Sequence, residues 1–254
     1  TALRELAQAI RIDPGNALAY EFRGVIYNKK QMYSLALKSF RQSLALNNKS
    51  PRLYYHRANT YIRLNNYKQA NKNAQQAIAI DPNYFQAYFL LGYISYNYKT
   101  YQKSIHYLNK FFRLKPTQFI YKAHHYRGVA HYKLGHYHQA IQDFDEVLNI
   151  RPAPYAYNFR GWMKYELRKY HQAIQDATKA IQLDPNFDSA YDTRGSAYRQ
   201  LGQYYHAIRD YNKAIRINPN ESAYFKSRGT LYRKLNQKKL ARLDLLRAKN
   251  LKVR

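Results

Sequence analysis

Apolar and aromatic residues recur along this chain at spacings of three, four and seven residues, in pairs of segments separated by a short polar turn. One such pair has Tyr191, Gly195 and Tyr198 before the turn at 201–203, then Tyr204, Ala207, Tyr211 and Ala214. These spacings are those of one face of an amphipathic helix. The pattern therefore predicts two helices joined by a tight turn.

The helix pair is repeated along the whole chain. An Arg-Gly-x-x-Tyr pattern returns at intervals of 33 to 36 residues, with its glycine or a replacement at Gly24, Ala58, Gly92, Gly128, Gly161, Gly195 and Gly229. A period of this length indicates stacked units that share one continuous core. We predict a single array over 1–254, in which 1–16 is the second helix of a truncated unit. The complete units are 17–50, 51–84, 85–118, 121–153, 154–187, 188–221 and 222–254.

The turns and ends of the predicted helices have their own signals. Asn65, Gly135, Gly202 and Asn236 fall between the two helices of a unit, where a left-handed backbone is tolerated best by Gly and Asn. Proline follows the second helix at Pro82, Pro116, Pro152, Pro185 and Pro219, since it cannot continue the hydrogen-bond ladder.

Residues at fixed positions of the unit resemble the signature of the tetratricopeptide repeat family. With the glycine as position 8, the match is shown by Tyr191, Gly195, Tyr198, Tyr204, Ala207, Ala214 and Pro219 at positions 4, 8, 11, 17, 20, 27 and 32. The resemblance implies an all-α, right-handed superhelical solenoid of antiparallel helix pairs. It also implies a concave groove, lined by the first helices, that binds peptides or proteins.

The arginine before each glycine has a matching acid in four units. Arg127, Arg160, Arg194 and Arg228 are followed sixteen residues later by an aspartate on the second helix of the same unit. Because a guanidinium binds a carboxylate through two parallel hydrogen bonds, the spacing predicts structural bridges rather than an exposed basic ladder. The predicted pairs are Arg127 with Asp143, Arg160 with Asp176, Arg194 with Asp210 and Arg228 with Asp244.

The groove positions of the family hold an unusual number of aromatic rings. They are Tyr55, Phe89, Tyr93, Tyr96, Tyr132, Tyr155, Trp162 and Tyr165, with Asn59 and Asn158 among them. Exposed aromatic residues mark interaction sites, and an amide can bind a peptide backbone, so we predict a partner-binding belt. The alternative is that the rings only pack on each other across a tight superhelix.

Charge adds a preference for acidic partners. The chain has 43 Lys and Arg against 15 Asp and Glu, and the excess is concentrated in residues 1–120 and 222–254. The basic groove and end residues are Arg52, Arg63, Lys122, Lys133, Arg199, Lys226, Arg233 and Lys234. Such a field attracts acidic protein, and it also attracts nucleic acid, which can stack its bases on aromatic rings.

Catalytic and metal chemistry find little support in the residues. Cys is absent, and the histidines of the fourth unit show no i, i+4 pair on its first helix, so we expect no metal, no cofactor, no small-molecule substrate and no catalytic residue. We also find no apolar run of about 20 residues that would predict a membrane span. Zero Cys leaves the compartment open, cytoplasmic or exported, and the oligomeric state is equally undecided.

The residues also bear on one specialised function of the family. Its chaperone-binding members use a clamp of Lys, Asn and Arg side chains, but this chain has Glu21, Val25, His56, Gln86 and Leu90 at the corresponding positions. We therefore predict no binding of a chaperone's terminal carboxylate. The sequence predicts a non-enzymatic scaffold that binds an acidic peptide or protein segment in an aromatic groove. Nucleic-acid or other polyanion binding through the same groove is the alternative, and a purely structural spacer is a third possibility.

Overall fold

A computed structural model describes residues 2–252, except for the side chain of Lys252. Thr1, Val253 and Arg254, which belong to the first and last predicted units, lie outside the described residues. Within 2–252 the chain forms fifteen helices and no strand, which confirms the all-α prediction. The helices are α1 (Ala2–Ile12), α2 (Ala17–Lys29), α3 (Tyr33–Leu46), α4 (Pro51–Arg63), α5 (Tyr67–Ile80), α6 (Phe85–Asn97), α7 (Tyr101–Arg113), α8 (Ile120–Lys133), α9 (Tyr137–Ile150), α10 (Pro154–Glu166), α11 (Tyr170–Leu183), α12 (Asp188–Gln200), α13 (Tyr204–Ile217), α14 (Ser222–Lys234) and α15 (Lys238–Lys252).

Helices pair in an antiparallel manner within each repeat. In the pair α2 and α3, Ser43 near the end of α3 donates a hydrogen bond of 2.8 Å to the carbonyl of Ala17 at the start of α2. Further along α2, Arg23 reaches Ser39 in the middle of α3. The two helices of a repeat also pack against each other in the pairs α4–α5, α6–α7, α10–α11, α12–α13 and α14–α15.

Contacts divide the chain into two compact units, Thr1–Ala130 and His131–Arg254, and the division falls within α8. The largest core cluster of the first unit includes Leu91, Ile94, Leu108 and Phe111, all at most 1% exposed. In the second unit, Tyr211 and Leu231 are fully buried in one such cluster. None of the helices in residues 2–252 is both long enough and apolar enough to cross a bilayer.

The residue at position 8 of a repeat packs closely against the second helix of that repeat. A methyl group on Gly24 would lie 2.4 Å from the ring of Phe40, and one on Gly195 would lie 3.0 Å from Tyr211. In the second repeat, Ala58 replaces the glycine, and position 24 is the small Ala74, with both side chains fully buried. Close packing against position 24 therefore explains Gly24 and Gly195, whereas a methyl group on Gly161 would instead lie 3.2 Å from the carbonyl oxygen of Ala173 on α11.

The turn between the two helices has a left-handed residue in every complete repeat. The predicted turn residues Asn65, Gly135, Gly202 and Asn236 all have positive φ, between 55° and 76°. The structure adds Gln31, Lys99 and Arg168, whose side chains give no sequence signal for this conformation. Each turn also directs a backbone N–H to a carbonyl of the last helical turn, as Asn66 does to Tyr61 over 2.8 Å.

Candidate functional site

The arginines at position 7 pair with aspartates of the second helix in three repeats. Arg194 donates to Asp210 from Nε and Nη2, each over 2.8 Å, and Arg228 makes the same pair of bonds with Asp244 at 2.7 and 2.8 Å. Arg160 reaches Asp176 at 2.8 and 2.6 Å. Burial disfavours the charge of Arg160, but its carboxylate partners outweigh burial and raise its pKa.

Each of these arginines also bonds to the preceding repeat. Nη1 of Arg160 donates to Asp145 over 2.6 Å, and Nη1 of Arg194 donates to Thr178 over 3.2 Å. Arg228 reaches Asn212 in the same way. All three acceptors stand at position 25 and offer a side-chain oxygen, whereas the first repeat has Arg41 at that position. The arginine therefore joins three helices rather than two.

Repeats near the start of the chain replace the carboxylate with a neutral acceptor. Nε of Arg23 donates to Ser39 over 3.2 Å, and Nε of Arg57 donates to the amide oxygen of Asn73. Burial is the main cause that lowers the pKa of Arg57, and the nearby cation Arg41 lowers it further. Arg127 donates from Nη1 to Asn109 over 2.8 Å, and its pairing with Asp143 stays a prediction.

Two adjoining clefts lie along the first helices of the unit Thr1–Ala130. One, of about 400 Å³, is lined by residues that include Tyr55, Asn59, Arg63, Tyr93 and Lys122. The other, of about 430 Å³, shares Tyr55, Asn59 and Arg63 and extends to Lys29 on α2. Among the described residues that line these clefts, none is Asp or Glu, so the clefts carry a net positive charge.

Arg52 does not add to this charge. Its Nε lies 2.6 Å from Oε1 of Glu21, whose side chain is 2% exposed. The predicted basic groove residue is thus balanced by a buried carboxylate. Lys29 lines the cleft instead.

Among the eight groove aromatics, Phe89 is buried and the other seven are half-buried, so the rings are less open than expected, and the partner-binding belt stays a prediction. Phe89 is 7% exposed, and its ring stacks on Phe119 with centroids 4.7 Å apart. The ring of Tyr93 lies 5.0 Å from Tyr126, and the ring of Tyr96 lies 5.1 Å from the same residue. The rings thus pack on each other, and Tyr55 and Tyr93 keep one side toward the cleft.

A smaller cleft of about 230 Å³ lies in the unit His131–Arg254. Its lining includes Tyr132, Asn158, Trp162, Asp192 and Tyr224. Oδ1 of Asn158 and Oδ1 of Asp192 are buried, and neither has a hydrogen-bond partner within residues 2–252. Burial is the main cause that raises the pKa of Asp192 to about 6. This cleft differs from the first two in having a carboxylate.

The remaining predicted aromatic residues lie on α10. The ring of Trp162 stacks on Tyr165 at 5.0 Å, and the Tyr165 hydroxyl accepts a hydrogen bond of 3.0 Å from Gln200. Tyr155 is half-buried at the start of the helix.

Most of the remaining predicted basic residues are exposed. Lys133 lies over the ring of Tyr132 at 5.3 Å, and Lys234 lies over the ring of Tyr204 at 5.0 Å. Lys226 and Arg233 are exposed on α14. Arg199 is half-buried, and its Nε has no partner among the described residues. These side chains are therefore spread over several surfaces rather than gathered in one groove.

Histidines of the fourth repeat do not converge on a metal geometry. Nδ1 of His131 and Nδ1 of His136 lie 3.5 Å apart, as in a hydrogen bond between two rings. Over residues 2–252, no group of three or more His, Asp or Glu side chains could hold a metal ion.

Sequence models of the tetratricopeptide repeat match most of the chain. The matched residues are 51–84, 85–118, 121–153, 154–187 and 193–221. The chain belongs to the tetratricopeptide repeat family. Tetratricopeptide repeats typically build non-catalytic scaffolds for protein–protein interaction, and the family assignment supports that class for this chain.

Two curated relatives match part of the chain. Hsp70-Hsp90 organizing protein 2 of Arabidopsis thaliana is 28% identical over 104 residues, which are 41% of this chain and 18% of that protein. Serine/threonine-protein phosphatase 5 of Mus musculus is 29% identical over 82 residues, 32% of this chain and 16% of that protein. The chain thus spans less than a fifth of the length of these tetratricopeptide relatives.

Solved tetratricopeptide structures share the fold. YrrB, described as a TPR protein with an unusual peptide-binding site, matches 71% of this chain and 92% of its own with a TM-score of 0.66 at 18% identity. The C-terminal part of a TPR repeat-containing protein from Cytophaga hutchinsonii matches 88% of this chain and 93% of its own, with a TM-score of 0.66 at 21% identity. At these identities the likeness shows the fold alone.

Proposed function

We propose that this protein is an interaction scaffold that binds an extended, acidic protein segment in the clefts lined by Tyr55, Asn59, Tyr93 and Lys122. The observation that carries the proposal is the charge of the two adjoining clefts of the unit Thr1–Ala130. Lys29, Arg63 and Lys122 line them, and no carboxylate among the described residues does. A carboxylate of a ligand would receive charge-assisted hydrogen bonds there.

Aromatic walls and an amide complete the support for a peptide ligand. Tyr55 and Tyr93 offer apolar surface for a side chain of the segment. Asn59 lines both clefts, and its amide can donate to a backbone carbonyl and accept from a backbone N–H at once. An extended segment has unpaired groups of both kinds along its length.

Single-stranded nucleic acid is less well supported than peptide. Binding of this kind depends on aromatic faces on which successive bases stack. The groove rings are half-buried or buried, and Phe89, Tyr93 and Tyr96 already pack against other rings. A flat row of open ring faces is therefore missing from the described groove positions.

The names of the relatives support the class of ligand and not its identity. The organizing protein is named for Hsp70 and Hsp90, and YrrB is described as having a peptide-binding site. At the positions of the chaperone clamp, this chain has a buried Glu21 and a half-buried His56. We therefore propose an acidic internal segment rather than a chaperone's carboxyl terminus.

Fluorescence anisotropy with two labelled peptides tests the proposal. The probes are a blocked peptide of alternating Ala and Glu and the same peptide with Gln in place of Glu. We expect the Glu peptide to bind more tightly, and Lys122→Gln to weaken it roughly five- to tenfold at about 0.15 M salt. Lys103→Gln removes an equal charge from an exposed site on α7, outside the clefts, and should leave binding unchanged.

Two results would overturn the proposal. Equal affinity for the Glu and Gln peptides would contradict recognition of a carboxylate. Tighter binding of a labelled single-stranded oligouridylate than of the Glu peptide, surviving about 0.3 M salt, would favour nucleic acid instead.

A further inference from the structure

The cleft of the unit His131–Arg254 contains two hydrogen-bond acceptors without a partner within the described chain. Oδ1 of Asn158 on α10 and Oδ1 of Asp192 on α12 are both buried and lack a partner within the described chain. Both residues line the same cleft. Buried polar atoms in proteins are almost always paired, so two unpaired oxygens in one cleft point to a donor supplied from outside.

No side chain of the described chain supplies that donor. Ser227 hydrogen-bonds the Asp192 carboxylate, yet Oδ1 remains without a partner. Ser189 is engaged with Asp188, and its Oγ lies 3.4 Å from the Tyr224 hydroxyl. Arg199, two helical turns from Asp192, favours its charge, but Nε of Arg199 is itself unpaired, so the two groups are not joined through that atom.

The chemistry of the cleft selects a cation. Asp192 carries a negative charge once ionised, and Asn158 adds an amide oxygen as a second acceptor. Trp162 and Tyr132 provide aromatic rings in the lining, and aromatic faces attract cations. An ammonium group has three donors and no acceptor, so it can satisfy both oxygens without leaving a lone pair of its own unpaired.

Size distinguishes a single side chain from a larger ligand. The cleft measures about 230 Å³, below the roughly 300–1,000 Å³ of sites that hold drug-sized molecules. A lysine stem is a chain of methylene groups that can pack on aromatic walls while its charged end reaches the acceptors.

We propose that the cleft between Asn158 and Asp192 binds the ammonium group of a lysine side chain from a partner protein. The inference rests on the proposed function only in taking a protein segment as the ligand. It concerns the unit His131–Arg254 and a ligand group of positive rather than negative charge. A partner that carries both acidic and basic residues would thus meet a separate cleft for each.

Trp162 provides a direct readout, because it is the chain's single tryptophan and lines the cleft. The full chain is titrated near neutral pH with a blocked peptide of alanines around one central lysine, and with the same peptide carrying norleucine. Norleucine keeps the methylene groups and removes the charge. We expect the lysine peptide to change the Trp162 emission and to bind at least about tenfold more tightly than the norleucine peptide.

Variants assign the effect to Asp192. Asp192→Asn keeps the shape of the side chain and removes its charge, so it should weaken the lysine peptide at least about tenfold. Glu146→Gln removes an equal charge from an exposed site on α9 and should change nothing. The norleucine comparison uses the unchanged protein, so it remains decisive even if a variant folds poorly.

Three outcomes would overturn the inference. They are equal binding of the lysine and norleucine peptides, unchanged affinity in Asp192→Asn, and a silent Trp162 emission at millimolar lysine peptide. A further arm uses n-butylammonium alone, and an affinity equal to that of the peptide would contradict a protein ligand. Failure here with the Glu peptide still bound would leave the proposed function intact.

Discussion

Arg194 donates two parallel hydrogen bonds of 2.8 Å to Asp210, across the two helices of one repeat. The Arg194 side chain is 19% exposed and that of Asp210 is 6% exposed, so the pair is largely shielded from water. A charge in such a place depends on its partner, because water cannot replace the lost bonds.

Removal of the acid should therefore cost more than a surface ion pair is worth. We expect Asp210→Ala to lower the free energy of unfolding by about 2–3 kcal/mol, since it leaves the Arg194 guanidinium without its carboxylate. The measurement is the midpoint of a urea unfolding curve followed by circular dichroism.

The same chain offers a matched control. Asp145 bonds to Arg160, but its side chain is 46% exposed, so Asp145→Ala should cost about 0–1 kcal/mol. An equal loss for Asp145→Ala and Asp210→Ala would show that burial of the pair is not what matters.

The second repeat allows the opposite experiment. Asn73 stands where Asp176, Asp210 and Asp244 stand in later repeats, and Arg57 donates a hydrogen bond to its amide oxygen. We expect Asn73→Asp to raise the free energy of unfolding by about 1 kcal/mol, because the new carboxylate gives Arg57 a charged partner and offsets its repulsion by Arg41.

Gln76→Glu is the control for the Asn73 experiment. It adds the same charge to an exposed position of α5 and should shift the urea midpoint far less. A decrease in stability on Asn73→Asp would mean that the lost bond from the Asn73 amide to the carbonyl of Gln69 outweighs the new charge pair.

Asp192 should make stability depend on pH in mild acid. Burial, the leading cause, raises its pKa to about 6, above the ordinary value near 3.9, so the folded state holds this proton more tightly than the unfolded state. The contribution of Asp192 to the free energy of unfolding therefore falls by on the order of 3 kcal/mol as pH rises from about 4 to 6, and it is constant above that window. Glu221 and Asp188 also raise this pKa, whereas Ser227 and Arg199 lower it.

The prediction is checked by the difference between Asp192→Asn and the unchanged protein. The variant should be more stable near pH 7 and no more stable near pH 4, as judged from urea midpoints. The difference is needed because His56 has its pKa lowered to about 4, chiefly by burial, which makes stability rise with pH over much of the same window. A difference that does not vary with pH would contradict the assignment to Asp192.

Local spacing was enough to predict the helix pairs. The period of 33 to 36 residues gave the order of helices, and Asn65, Gly135, Gly202 and Asn236 marked left-handed turns correctly. Gln31, Lys99 and Arg168 adopt the same conformation without a residue that favours it, because the two packed helices on either side impose the turn.

The candidate site was less predictable, since burial depends on neighbours that the repeat pattern does not fix. Phe89 stands at a groove position, but Phe119 from the irregular segment between α7 and α8 stacks on it. Asp192 was visible in the sequence only as one acid among many basic groove residues. Its importance comes from the unpaired oxygen, which only the packing of α12 against its neighbours reveals.

The third hydrogen bond of each bridging arginine sets a limit on how this chain can be shortened or lengthened. A cut before residue 154 would separate Arg160 from Asp145, and a cut before residue 222 would separate Arg228 from Asn212. When a repeat is duplicated, or the repeat before it is deleted, its arginine keeps the aspartate of its own second helix. The third hydrogen bond of that arginine then needs an oxygen at position 25 of the repeat that now precedes it. Asp145, Thr178 and Asn212 all serve there, but Arg41 and Leu246 at position 25 of the first and last repeats offer no oxygen, so either of those repeats placed before a bridging arginine would remove its third bond.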